Sequence, residues 1–131
     1  MSKAQIVIPD RSDVRVKRLF EVFDHLKERF NLDGYELKFF KRGSAGDTET
    51  VTVTNTTHGL CNHTNRTIYL DAALLSNWRS LIFVLTHECA HARYPDAGKL
   101  GYLPMELICN VFASVLSKDV LQRFPGVWGT F

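Results

Sequence analysis

No apolar run in these 131 residues approaches the roughly 18 needed to cross a bilayer, so no membrane partner is expected. Cysteine is scarce and odd in number: Cys61, Cys89 and Cys109 are widely spaced, which suits reduced thiols and argues against a disulfide framework. An excess of charge of one sign is also missing. Lys and Arg total 16 against 14 Asp and Glu, and the net charge of +2 is too small to draw the chain to nucleic acid directly. The most basic stretch, RVKRLFEVFDHLKER, interleaves its acids and reads as the solvated face of a helix. The opening residues MSKAQIVIPDRSD lack the charged start, apolar run and small-residue cleavage site of a secretory signal, so a cytoplasmic location is expected. Asn-x-Thr triplets at Asn55, Asn62 and Asn65 are then only the composition of a polar loop. What remains, 45% hydrophobic and 23% charged residues, is ordinary for one globular domain covering residues 1–131.

The hydrophobic spacing predicts the elements. Ser12 or Asp13 can cap a helix in which Val16, Leu19, Phe20, Phe23, Leu26 and Phe30 recur at three and four, and Gly34 is its natural stop. YELKFFK reads as a strand, GSAGD as a turn, TETVTVTNTT as a half-buried strand and HGLCNHTN as a loop. RTIYLD gives a third strand with Ile68 and Leu70 on one face and Thr67 and Tyr69 on the other. From Ser76 a helix runs to Pro95, and a last helix begins near Pro104. The expected fold is α+β: an N-terminal helix, a small three-stranded sheet, antiparallel or mixed, and two further helices.

The first of those two helices holds the chemistry. Residues 86–95 read THECAHARYP, and residues four apart on an α-helix share a face about 6 Å apart, so His87 and His91 can direct both imidazoles at one metal ion. Glu88, rotated by about 100° from His87, falls beside such an ion, where its carboxylate can take a proton from an attacking water. Zinc suits this donor set, at one ion per chain, but a catalytic zinc needs a third protein ligand and no histidine follows His91. Of the carboxylates that do follow, Asp96 would need a sharp reversal of the chain and Asp119 lies too far along the last helix. Glu106, in the first turns of that helix, is the best placed.

HECAH followed by MELICNVFASVLSKDVL resembles the two motifs of the ImmA/IrrE family of zinc metallopeptidases, the second of the type E-x-x-A-N-x-F-A-x-x-L. Glu106, Asn110, Phe112, Ala113 and Leu116 match it, and Cys109 stands where the family has alanine. Cys89 and Ala90 also depart from the usual residues of the first motif. The resemblance implies a minimal zincin-like core with His87, His91 and Glu106 as zinc ligands and Glu88 as catalytic base. It further implies an endopeptidase acting on an intracellular protein, with a DNA-binding repressor among the substrates. RTIYLD precedes the active helix as the substrate-aligning edge strand of zincins does, so an extended peptide can be expected to pair with it. Tyr94, Tyr102, His58 and His63 are the candidates for stabilising an oxyanion, and Asn110 for supporting a ligand or making a plain interhelical contact. Cys61 and His63 read as loop residues rather than a second metal site, and Cys89 and Cys109 as buried thiols. The competing class is a zinc-binding interaction module or non-catalytic scaffold that binds a regulatory protein.

Overall fold

A computed structural model of the chain describes residues 2–42, 50–54, 57–94 and 101–124. The turn expected at 43–47, Pro95, Asp96 and the tail beyond Phe124 lie outside the described residues. Over the described residues the fold is α+β, with three α-helices and one curled, mixed five-stranded sheet rather than the three strands expected.

The strands are β1 (Ser2–Val7), β2 (Glu36–Lys41), β3 (Thr50–Val53), β4 (Gly59–Asn62) and β5 (Thr67–Asp71), in the spatial order β3-β1-β2-β5-β4. Pairing is antiparallel except between β2 and β5, where Leu37 lies beside Ile68 and Phe39 beside Leu70. Strand β4 falls within the stretch expected to be a loop. Gly-Leu-Cys-Asn has neither alternation nor β-branched residues to announce a strand, and it is extended because its main chain pairs with β5, Gly59 opposite Leu70 and Cys61 opposite Ile68. RTIYLD is not the edge strand that its place before the active helix suggested. β5 is hydrogen-bonded on both sides and buried along its whole length, and the edge strand on its side of the sheet is β4, with β3 at the opposite edge.

Helix α1 (Val14–Phe30) is capped by Asp13, whose carboxylate accepts from the Arg15 N–H at 2.8 Å. It stops at Asn31 rather than Gly34. Asn31 takes the left-handed conformation, φ 58°, which lets the Leu32 N–H reach the Lys27 carbonyl at 2.8 Å. Asp71, at the end of β5, caps a 3-10 turn (Ala72–Ser76), and Asn77 caps α2 (Trp78–Arg93) by accepting from the Ser80 N–H. Helix α3 (Tyr102–Arg123) starts two residues before Pro104, on Gly101 with φ 102°. No helix among the described residues is long and apolar enough to cross a membrane.

One face of the sheet meets the helices. Leu37, Phe39, Ile68 and Leu70 pack with Leu19, Phe23 and Leu26 of α1 and Leu81, Ile82 and Leu85 of α2. On the other face the curl gathers Ala4, Phe40, Val53 and Tyr69 into a smaller cluster, with Leu60 against it. Residues therefore alternate across β4: Cys61 joins the helix-side core and Leu60 the far side. Between α2 and α3 the buried residues are small, Cys89, Ala90 and Ala92 on one helix and Cys109, Ala113 and Ser117 on the other, which lets the two axes approach closely.

Candidate metal centre

Close packing of α2 on α3 brings the first turns of α3 over the C-terminal half of α2. The Glu106 carboxylate reaches both histidines, Oε2 lying 3.3 Å from His87 Nε2 and Oε1 3.0 Å from His91 Nε2. The two Nε2 atoms are themselves 3.0 Å apart, with the rings edge to face. Ligands about 2.0–2.1 Å from a tetrahedral zinc stand about 3.3 Å from one another, and the two imidazole nitrogens lie near that spacing, with one Glu106 oxygen against each of them. All three side chains are largely shielded from solvent.

Glu88 lies beside this cluster. One of its oxygens and the ligand nitrogens of His87 and His91 are all within 4.8 Å of one another, and this His-Glu-His group can hold a metal ion. Among the described residues the Glu88 carboxylate has no hydrogen-bonding or ion-pair partner. Burial, followed by the negative charge of Glu106, pushes its carboxyl up to about 8. Burial first, and then the neighbouring His87, hold the His91 imidazole below its usual range, against the opposing pull of Glu106.

These groups line a cleft of about 590 Å³ whose opposite wall is β4 and its flanks, with Thr57, His58, Leu60, Cys61 and His63. Arg42 secures that wall. Its guanidinium pairs with Asp71 and donates to the Thr57 carbonyl and, at 2.9 Å, to the Thr54 carbonyl. Of the four residues considered for an oxyanion, Tyr102, His58 and His63 line the cleft. Tyr94 does not: it stacks on Phe112 with ring centres 5.0 Å apart. Asn110 reaches the cleft on the same side as Glu106. Cys61 Sγ and His63 Nδ1 are 4.0 Å apart, and burial pushes the Cys61 thiol up to about 12. Cys89 and Cys109 are fully buried.

The contribution of β4 was not foreseen. Asp71 N donates to the His58 carbonyl at 2.9 Å, making residues 58 and 71 a hydrogen-bonded pair. By the alternation of an antiparallel ladder, residues 60 and 62 also bond to β5, while the N–H and C=O groups of Gly59 and Cys61 face the open edge. Among the described residues no strand pairs with this main-chain edge, which runs along the cleft. No family model, curated protein or solved structure matches this chain.

Proposed function

We propose that this chain is a zinc-dependent metalloendopeptidase of zincin type, similar to the ImmA/IrrE family, and that it hydrolyses a peptide bond in an intracellular protein, with a DNA-binding regulator among the substrate candidates. The observation that carries the reading is the convergence of His87, His91 and Glu106 donors at 3.0 to 3.3 Å, with a buried carboxylate beside them that has no hydrogen-bonding or ion-pair partner among the described residues. A scaffold would need the first three groups at most; a buried Glu88 is costly to stability and is explained by use as a base.

In this reading His87, His91 and Glu106 hold the ion. A bound zinc would supply Lewis-acid polarisation of the scissile carbonyl and of the attacking water. Glu88 accepts the proton of that water and returns it to the departing amine; its raised pKa belongs to the metal-free chain, and the charge of a bound cation would lower it and leave the carboxylate free to act as a base. The substrate chain lies extended along β4, exchanging main-chain hydrogen bonds with Gly59 and Cys61.

The test is the metal content of protein purified without added zinc, for wild type beside His91→Ala and Glu106→Ala. The expected result is about one zinc per chain, strongly reduced in both variants. Metal absent from wild type, or retained by both variants, would overturn the ligand set.

A further inference from the structure

Among the described residues no hydrogen bond fixes the Glu88 carboxylate, and its side chain lies against Gly59 of β4. A Cβ built on Gly59 would stand 3.0 Å from Glu88 Cγ, 3.1 Å from Glu88 Oε2 and 2.7 Å from Val84 Cγ1. Backbone conformation does not require glycine here: among the described residues only Gly34 and Gly101 are glycines with positive φ, and Gly59 is ordinary strand. What the position requires is space. Gly59 projects toward α2, and Val84 and Glu88 are one turn apart on the face of α2 that meets it.

We propose that Gly59 is a positioning residue for Glu88, its missing side chain forming the wall on which the carboxylate rests. The inference builds on the reading of Glu88 as the base. A side chain at 59 would meet two neighbours of unequal stiffness. Val84, β-branched and in a helix, is confined to essentially one rotamer, whereas Glu88 can swing about three bonds. The overlap with Val84 must be relieved by a shift of strand or helix, whereas the approach to Glu88 is relieved by displacing its carboxylate. Because the main-chain groups of Gly59 also face the open edge, the residue that seats the base is the one that would fix the register of an extended substrate, coupling the two positions through a single Cα.

The experiment places Gly59→Ala in a Val84→Ala chain, where the tightest contact is gone and the close approach to Glu88 remains. In metal-free protein, Gly59→Ala should lower the urea midpoint when Glu88 is present and leave it nearly unchanged when Glu88→Ala is added. In the zinc-loaded Val84→Ala protein it should lower kcat by about tenfold or more, with KM within about threefold and zinc content unchanged. An equal loss of midpoint with and without Glu88 would overturn the proposal and leave Gly59 a packing residue. If no form cleaves any peptide, the peptidase reading fails, yet the urea comparison still decides whether Gly59 seats Glu88.

Discussion

The two walls of the cleft are made differently. The helical wall, α2 and α3, presents ionisable side chains: His87, Glu88, His91 and Glu106. The strand wall, flanked by His58 and His63, brings chiefly main chain and a missing side chain from β4 itself, with Gly59 against Glu88 and the polar groups of Gly59 and Cys61 turned to the open edge. If the peptidase reading holds, the first wall does chemistry and the second holds and registers what the chemistry acts on. Substitutions on the two walls should then fail in different ways.

The largest effect belongs to the helical wall. Glu88→Gln removes the base and leaves the three donors intact, so peptide cleavage should fall by about 10²- to 10⁴-fold while zinc content stays at the wild-type value. Zinc lost together with activity would instead place Glu88 among the ligands. The same variant changes the pH response of the metal-free fold. Burial raises the Glu88 carboxyl from its ordinary 4.5 to about 8, so below pH 4.5 it is protonated in both folded and unfolded chains. Between there and about pH 8 the unfolded chain has released a proton that the folded chain still holds, and stability falls as pH rises through that window. Glu88→Gln should flatten the fall and make the metal-free protein more resistant to urea at pH 8. Parallel curves for the two proteins would show that the Glu88 carboxyl is not raised.

The same division explains what could be read before the structure. The helical wall was legible because its signal is periodic: two histidines and a glutamate at helical spacing, then a carboxylate where the next helix begins. The stripe from Val16 to Phe30 was legible for the same reason, one face of α1 being buried; β5 kept its alternation, Ile68 and Leu70 toward the helices and Tyr69 toward the far side, although both of its faces are buried. Strand β4 was not, because what makes Gly59–Asn62 a strand is pairing with β5, an interaction distant from its own composition. The position of Glu106 against both histidines also depends on tertiary packing, on how closely Ala90 and Ala113 let α2 and α3 approach. The true sheet edge followed once β4 was seen, and β5 ceased to be one.

A smaller effect tests the strand wall by its main chain. The Cys61 N–H faces the open edge, so Cys61→Pro breaks no ladder bond, and proline is tolerated on an edge strand at such a position. It removes one donor to an extended substrate, worth about 0.5–1.5 kcal/mol, and KM should rise by about two- to tenfold with kcat little changed. An unchanged KM would move the substrate off β4 and break the comparison.

The smallest effect separates the backbone of that residue from its side chain. With its thiol pushed up to about 12, by burial first and then by the charge on Glu88, Cys61 is neutral and a poor nucleophile near pH 7. Cys61→Ala keeps the outward N–H and the register with Ile68, so it should leave zinc content unchanged and KM within about threefold of wild type. Iodoacetamide should accordingly modify Cys61 slowly at pH 7 in the metal-free protein. If Cys61→Ala instead raises KM as far as Cys61→Pro does, the sulfur and not the main chain is what a substrate meets, and the strand wall would have to be counted, like the helical one, as a wall of side chains.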